Sequence, residues 1–170
     1  MTATLDAELV PDQQTSRALH LIPLSIRSWR VKSGESGILE QRWVSPIDID
    51  VPLVSVRAGR RIRAVSLSVN GERVFEISDW DPHWQQTWKI SNLRVAKGTQ
   101  VVATFRVDNS QQNPRNPETP PREIQFGRRT GALGIWLHAA AIDPVDQGKL
   151  QQIHQRCLLY TSPSPRDLWI

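Results

Sequence analysis

Four histidines are the residues of this chain most able to bind a metal ion or to move a proton near neutral pH. They are His20, His83, His138 and His154, and the closest two are sixteen positions apart. Metal-binding motifs place ligands only a few positions apart, so these histidines form no local chelate. His83 lies among tryptophans and is interpreted as a hydrogen-bonded surface or rim residue, whereas His138 lies in an apolar run and is predicted to be a satisfied core residue.

Two carboxylates, Asp79 and Asp81, lie close enough in sequence to act as a pair. Pro82 follows them directly, and this combination is more typical of a turn whose carboxylates bond to nearby backbone N–H groups. No serine, histidine and aspartate have the spacing of a nucleophile motif, and no glycine-rich phosphate loop is present. The pattern therefore gives no support for nucleophilic catalysis or phosphate binding.

The segment from Asp79 to Trp88 is rich in tryptophan, with Trp80, Trp84 and Trp88 at helical spacing. Pro82 lies inside the segment and strand-like patterns flank it, which counts against a helix. One interpretation is an aromatic platform on which a sugar stacks. We favour packing in the core or at its rim, because tryptophan carries a large apolar area with one donor to satisfy.

A loop rich in asparagine and proline spans residues 106–121, between two predicted strands, and contains four prolines and three asparagines. The prolines exclude a helix or a central strand, while Asn109, Asn113 and Asn116 can bond back to nearby backbone. We therefore predict an ordered loop held by local hydrogen bonds. Such a loop is either a rigid crossover between two sheets, which we favour, or a functional loop.

Length and composition are those of a globular protein with one domain: 170 residues, 39% hydrophobic and 22% charged,. The net charge is +4, with basic clusters at 60–63 and 128–129. No nucleic-acid-binding motif accompanies these clusters, so we expect no nucleic-acid partner. No stretch approaches the ~20 apolar residues of a membrane span, and we expect no membrane partner. The first residues lack the basic head and apolar run of a secretory signal.

The C-terminal segment 157–170 resembles a translated transposase sequencing adapter. Its first eleven residues, Cys157 to Asp167, match the translation of that adapter, and the last three would derive from sample-index sequence. We expect the segment to be non-native and exclude it from the fold. Cys157 is the only cysteine, so the rest of the chain has no thiol nucleophile and no disulfide.

Short runs of alternating apolar and polar residues, separated by glycine and proline turns, make up most of the chain. Asn70-Gly71 between two such runs indicates a hairpin. Pro23 fits an edge strand, and Pro52 is predicted to interrupt a strand. The pattern predicts an all-β fold, an antiparallel β-sandwich of jelly-roll type. The predicted division is a tail or linker at 1–20, the sandwich at 21–146, a short helix at 147–156 and the non-native segment at 157–170.

Several motifs occur here in the order and spacing found in one enzyme family. They are Asp79-Trp80-Asp81 with Trp84-Gln85, Lys97-Gly98-Thr99, Asp108-Asn109-Ser110 with Asn113-Pro114-Arg115-Asn116-Pro117, and Gly127 with Thr130. Through them Leu21 to Ile142 resembles the C-terminal domain of copper type II, ascorbate-dependent monooxygenases, the peptidylglycine and dopamine hydroxylase-like enzymes and their bacterial relatives. The resemblance implies a jelly-roll β-sandwich and an oxygen-binding copper held by two histidines and one methionine. It also implies that ascorbate supplies electrons for hydroxylation of a substrate C–H bond.

The positions that the resemblance assigns to the copper ligands hold aliphatic residues in this chain. The histidine pair corresponds to Val54 and Val56, and the methionine corresponds to Leu133. Copper needs imidazole nitrogen or soft sulfur, and none of these side chains offers either. We therefore predict no copper or other cofactor, and no catalytic, cofactor-binding or metal-binding residue.

Three functions are compatible with these observations. The one we favour is a non-catalytic scaffold or interaction domain of the copper family, whose partner is a second β-sandwich domain or a fused redox domain outside this chain. The second is a module that uses the tryptophans to bind a sugar or a peptide. The third is half of a working copper monooxygenase. The residues expected to carry any binding are Trp80, Trp84, Gln85, Asp108, Asn109, Asn113 and Asn116.

Truncation after Arg156 tests the adapter interpretation. Removing residues 157–170 should change the free energy of unfolding by less than ~1 kcal/mol, the usual range for an unpacked terminus. Urea unfolding of the truncated and full-length chains measures the difference. A truncated chain that does not fold would show that the segment is native and packed.

Overall fold

The computed structural model describes residues 17–26, 28–126 and 133–161. Over these residues the chain is built mainly from β-strands. The strands are β1 His20–Ile26, β2 Trp29–Val31, β3 Ser36–Val44, β4 Ile49–Arg57, β5 Ile62–Val69, β6 Glu72–Ile77, β7 Thr87–Lys89, β8 Arg94–Val95, β9 Gln100–Asp108, β10 Ile124–Phe126 and β11 Leu133–Ala141. The helical elements are 3-10 turns at Pro82–Trp84 and Pro144–Asp146 and helix α1 at Gln147–Thr161.

Two antiparallel sheets hold the principal strands. One sheet has the order β1-β11-β4-β7, with β8 also pairing with β4, and the other has the order β3-β9-β5-β6. The short strands β2 and β10 pair with each other. The chain crosses between the sheets after almost every principal strand, and the last strand lies beside the first, which is the jelly-roll arrangement. The predicted all-β fold, an antiparallel β-sandwich of jelly-roll type, is confirmed.

Alternation along the strands places one face of each sheet in the core. On β9, Val101, Ala103, Phe105 and Val107 are buried while Arg106 is exposed. Burying a valine or phenylalanine side chain contributes about 1.5–3 kcal/mol. A shift of one residue would move the whole apolar set to the opposite face, so this burial also fixes the register of the strand.

The Asn70-Gly71 hairpin is confirmed. Asn70 has φ of 49° and Gly71 has φ of 84°, and the two residues join β5 to β6. Left-handed conformations at both central positions define the turn whose twist matches that of the flanking strands.

Pro52 does not end a strand, so that prediction was wrong. β4 continues through it from Ile49 to Arg57, and the pairing of β4 with β11 shifts register between His138 and Ala140. Over this interval β4 contributes one more residue than β11, which is a β-bulge. A bulge leaves one residue outside the ladder, so it accommodates a residue that lacks an N–H group. The Pro52 carbonyl still accepts a hydrogen bond from the Ile90 N–H at 2.8 Å.

The ends of the sandwich differ slightly from the predicted boundaries. β1 begins at His20, inside the predicted tail, and residues 1–16 lie outside the described residues. Helix α1 reaches Thr161, so it is longer than predicted and enters the segment that resembles an adapter. Residues 127–132, which include Gly127 and Thr130 of the family motifs, also lie outside the described residues. Of the helices in the described part of the chain, none has the length and apolar character needed to cross a bilayer.

Helix α1 covers the outer edge of β1. His154 Nδ1 accepts a hydrogen bond from the Leu21 N–H at 3.1 Å, and Leu150 of the same helix is completely buried. The His20 ring meets the His154 ring edge-on with centroids 5.7 Å apart, and its Nε2 lies 3.0 Å from Gln147 Nε2. An uncovered edge strand invites pairing with other chains, and the helix blocks this edge.

Stability should fall in mildly acidic solution because of His20. Burial, together with the nearby His154, lowers the pKa of His20 below its ordinary value of 6.5. The native state then binds fewer protons than the unfolded state, so the stabilisation is complete above pH 6.5 and is lost as the pH falls through the folded pKa,. His20→Gln should flatten this dependence, measured as urea midpoints across a pH series. The exposed His83→Gln is the control, and equal profiles for the two variants would contradict the prediction.

Candidate functional site

Asn109, the first residue after β9, is completely buried and uses every hydrogen-bonding capacity of its amide. Its Nδ2 donates to the carbonyls of Lys32 and Arg122 at 3.0 and 2.8 Å. Its Oδ1 accepts from Arg61 Nε and Asn116 Nδ2 at 3.0 and 3.1 Å. An amide has two donor hydrogens and two acceptor lone pairs, so this one side chain joins four separate positions of the chain.

Asn113 and Asn116 organise the interior of the asparagine–proline loop. Asn113 is buried, its Nδ2 donates to the Asp108 carbonyl at 2.7 Å, and its Oδ1 accepts from the Arg115 N–H at 3.0 Å. Asn116 Nδ2 also donates to the Ser110 carbonyl at 3.2 Å. Side-chain bonds to nearby backbone replace the ladder that prolines prevent. The loop is therefore shaped from within, as predicted.

The prediction that local bonds hold the loop is only partly correct, because basic residues from β5 and the turn before it also bind it. Arg61 bonds to Asn109 and pairs with Glu118 at 3.1 Å, and Arg63 NH1 donates to Asn113 Oδ1 at 3.3 Å. These partners are about fifty residues away along the chain. Buried amides need partners where water is absent, and Arg61 and Arg63 supply them from β5 and the turn before it.

Asp108 ends β9 and begins the turn into the loop. Its Oδ1 accepts from the Ser110 N–H at 2.9 Å and from Ser36 Oγ at 3.0 Å. Burial alone would raise the pKa of this carboxyl, but the hydrogen bonds from Ser110 and Ser36 outweigh burial and the pKa is lowered. The carboxylate is therefore ionised at neutral pH and serves as a hydrogen-bond acceptor.

Arg115 joins the asparagine–proline loop to the tryptophan segment. Its two terminal nitrogens contact the two carboxylate oxygens of Asp79 at 3.0 and 3.1 Å, and one of them also donates to the Trp80 carbonyl. The hydrogen bond from Arg115 lowers the pKa of Asp79, with a further contribution from the charge of Arg63. Asp79 is solvent-exposed, so screening weakens the pair. Its main effect is to set the position of the loop relative to Trp80.

The three tryptophans do not form a common platform. Trp80 is completely buried and donates from Nε1 to the Ala58 carbonyl at 3.3 Å. Trp88 is half-buried on β7, with its ring centroid 6.2 Å from that of Trp80 and 5.7 Å from that of Phe75. Trp84 is 50% exposed. Packing therefore accounts for Trp80 and Trp88, and of these three tryptophans Trp84 alone presents its ring for stacking.

A polar cleft of about 330 Å³ separates the loop from the tryptophan segment. It is lined by Arg60, Asp81, Pro82, His83, Pro114, Arg115 and Asn116. Asp81 Oδ1 accepts from the His83 N–H at 2.8 Å, which caps the 3-10 turn as predicted for this carboxylate. Gln85, a predicted binding residue, donates from Nε2 to the Pro82 carbonyl at 3.0 Å and so serves the same turn. His83 is exposed at the rim.

The three positions that the resemblance implies as copper ligands lie together in the core. Val54, Val56 and Leu133 are 0%, 3% and 2% exposed, and all three point to the inner face of the β1-β11-β4-β7 sheet. Hydrocarbon side chains offer no donor atom to copper. Among the described residues, no group of three or more histidine, cysteine, aspartate or glutamate side chains could hold a metal ion. The residues present therefore do not fit the copper of the family.

Sequence reasoning missed a polar cluster on the outer face of the same sheet. His138, predicted to lie in the core, points away from it and is half-buried. Its Nε2 lies 2.6 Å from Ser55 Oγ, which lies 2.7 Å from Thr87 Oγ1. The expectation that the ring is satisfied is correct, and burial lowers the pKa of His138. The alternation of apolar and polar residues could have indicated this outer face, because Ser55 lies between the two buried valines, Val54 and Val56.

Comparison with models of protein families finds no match to this chain, and comparison with curated proteins finds none. The likeness to copper monooxygenases thus rests on the motifs themselves.

Asn109→Ala should destabilise the protein, because it removes the four side-chain hydrogen bonds that this buried amide makes with Lys32, Arg122, Arg61 and Asn116. An unsatisfied buried polar group costs about 1–3 kcal/mol, so we expect a loss of at least ~1 kcal/mol in urea unfolding. Gln111→Ala, an exposed position in the same loop, is the matched control. Hydrogen exchange along the loop should be slow in the wild type, and rapid exchange throughout it would contradict the hydrogen-bonded arrangement.

Proposed function

We propose that this chain is a non-catalytic scaffold or interaction domain, related to the oxygen-binding domain of copper type II, ascorbate-dependent monooxygenases. The observation that carries the proposal is the burial of aliphatic side chains at Val54, Val56 and Leu133. The jelly-roll sandwich and the fully bonded asparagine–proline loop, which has the family's motif, support the relationship.

The location of these positions also argues against oxygen chemistry. A copper ion that binds oxygen and meets a substrate needs an open coordination position reached from solvent. Val54 and Val56 face the space between the two sheets, beside Leu137 and Ile135, their buried neighbours on the adjacent strand β11. The third hypothesis, half of a working monooxygenase, therefore has the least support.

The interaction surface we propose is the junction of the asparagine–proline loop with the tryptophan segment. Arg60, His83 and Arg115 line the polar cleft, and Trp84, which follows His83 in the chain, is 50% exposed. Tryptophan and arginine are enriched at the centres of protein interfaces. The bonded network beneath the junction makes its shape rigid, which lowers the entropic cost of association. The partner we propose is a second β-sandwich domain or a fused redox domain.

A sugar or peptide ligand at the same junction is the second candidate, and the exposed ring of Trp84 favours it. The burial of Trp80 and the half-burial of Trp88 reduce the proposed platform to one aromatic ring. A single exposed tryptophan can contact a partner protein as readily as a sugar. The two candidate functions therefore differ in which ligand binds. Titration of tryptophan fluorescence with neutral glycans and with peptides, comparing wild type with Trp84→Ala, distinguishes them.

Purified protein should hold no stoichiometric copper after dialysis against a chelator, because the family positions supply no donor atom. Metal analysis by mass spectrometry measures this, and oxygen uptake with ascorbate should equal that of buffer. One copper per chain surviving the chelator would contradict the assignment of these positions.

Restoring the family ligands gives the converse test. The triple variant Val54→His, Val56→His and Leu133→Met should take up copper if the alignment and strand register are right. It should also lose about 2 kcal/mol or more of stability, because imidazoles would replace valines in an apolar core. The control variant Val102→His with Thr104→His places a similar pair on the half-buried outer face of β9. Copper uptake no greater than in this control would show that the alignment is wrong.

A further inference from the structure

The outer face of the β1-β11-β4-β7 sheet carries aromatic, hydroxyl and cationic side chains together. We call this set the outer-face patch: Trp136, His138, Ser55, Thr87, Arg57 and Lys89. In the strand register, Ser55 of β4 lies opposite Trp136 of β11 on one side and Thr87 of β7 on the other. Leu53 of β4 lies in the same way between His138 of β11 and Lys89 of β7. All six side chains point away from the core and each is exposed or half-buried.

The patch has a positive charge that no described acid neutralises. Arg57 lies over the Trp136 ring with its Cζ 5.9 Å from the ring centroid, and neither Arg57 nor Lys89 pairs with a carboxylate among the described residues. Asp50 is the only acid in the described strands of this sheet, and it is already paired with Arg17 at 3.3 Å and with Arg94 at 3.2 Å. An anionic group that reached the patch would therefore find two cations available.

The hydroxyls of the patch form a chain that suits binding rather than catalysis. His138 Nε2, Ser55 Oγ and Thr87 Oγ1 are joined at 2.6 and 2.7 Å, which resembles a nucleophile beside its base. Ser55 lies in β4, which pairs with strands on both sides, so the nearby backbone N–H groups belong to the ladders. An acyl-transfer site needs free donors for the developing oxyanion, and the ladders leave none beside Ser55. The same hydroxyls can exchange hydrogen bonds with the hydroxyls of a ligand.

We propose that the outer-face patch binds an acidic oligosaccharide, one whose sugar rings carry carboxylates. The apolar face of a sugar ring packs on Trp136 beside the Arg57 side chain, because the indole offers a large rigid surface. Its carboxylate pairs with the Arg57 guanidinium, whose planar fork matches a carboxylate. Ser55, Thr87 and His138 bind the ring hydroxyls. This site is separate from the loop–tryptophan junction, and the inference does not rest on the proposed copper-family relationship.

The spacing of the cations sets the length of the ligand. Lys89 lies opposite Leu53, four residues from Arg57 on β4, so strand geometry separates the backbone positions of the two basic residues by about 14 Å,. A ligand that contacts both is longer than one sugar ring. Beyond Lys89 the face continues into a cleft of about 800 Å³, lined in part by Asp50, Pro52 and Arg94. The cleft gives the chain of sugars room to extend.

Binding of an oligogalacturonate to the full chain, measured by isothermal titration calorimetry, tests the proposal. Its methyl ester is the matched control ligand, because esterification removes the charge and keeps the sugar backbone. The wild type should bind the acid, and the ester should bind about tenfold more weakly or worse, as expected for loss of charged hydrogen bonds. Arg57→Gln and Lys89→Gln should each weaken binding of the acid by a similar factor, and Trp136→Ala should abolish it.

The matched control variants lie at the junction: Arg60→Gln and Trp84→Ala should leave the affinity unchanged. Loss of affinity in these two, with Arg57→Gln and Lys89→Gln unaffected, would move the site to the junction and overturn the proposal while supporting the second candidate function. Absence of binding by the wild type, or equal affinity for acid and ester, would also overturn it. The proposal would also be overturned if polyglutamate bound as tightly as the oligogalacturonate and still bound the Trp136→Ala variant. That result would show attraction to charge alone. If Trp136→Ala does not fold, the exposed Arg57 and Lys89 variants decide the question.

Discussion

The arrangement of the chain around the asparagine–proline loop depends on one buried side-chain amide, which needs a hydrogen-bond partner for each of its donors and acceptors. Asn109 lies where no water reaches, so each unmet capacity would cost about 1–3 kcal/mol,. Meeting all of them requires Lys32 beside β2, Arg122 before β10, Arg61 before β5 and Asn116 in the loop to converge on one point. One polar side chain therefore fixes the relative positions of these segments. Apolar contacts would fix them less strictly, because hydrogen bonds are directional and hydrophobic packing is not.

Strand faces were predictable from sequence because alternation is a local property. The inner residues of β9 and the Asn70-Gly71 turn needed no knowledge of their neighbours. Pro52 was misjudged because its tolerance depends on a bulge against β11, a strand more than eighty residues away. The tryptophan spacing forms no long helix, as Pro82 predicted, and the favoured packing role is correct for Trp80 and Trp88, which contact other parts of the chain.

The candidate sites show the same division. Burial of Val54 and Val56 on one face followed from a two-residue period,. The meeting of Ser55 with His138 did not, because only the strand order makes β4 and β11 neighbours. His138 was assigned to the core from the apolar run around it, yet in a strand the residue between two buried neighbours faces the opposite way. A polar residue inside an apolar strand is thus better read as an outward position than as a buried exception.

The pairing of β1 with β11 determines when the β1-β11-β4-β7 sheet can finish folding. His20 lies opposite Ala139, and the edge of β1 is closed by His154. On a ribosome β1 therefore emerges long before β11, its ladder partner among the described strands, has been synthesised. Until then its apolar side chains, such as Ile22 and Leu24, have no core to enter, and contacts so distant in sequence form slowly. Until β11 has been synthesised, the nascent chain consequently exposes an apolar strand, and exposed segments of this kind are prone to aggregate.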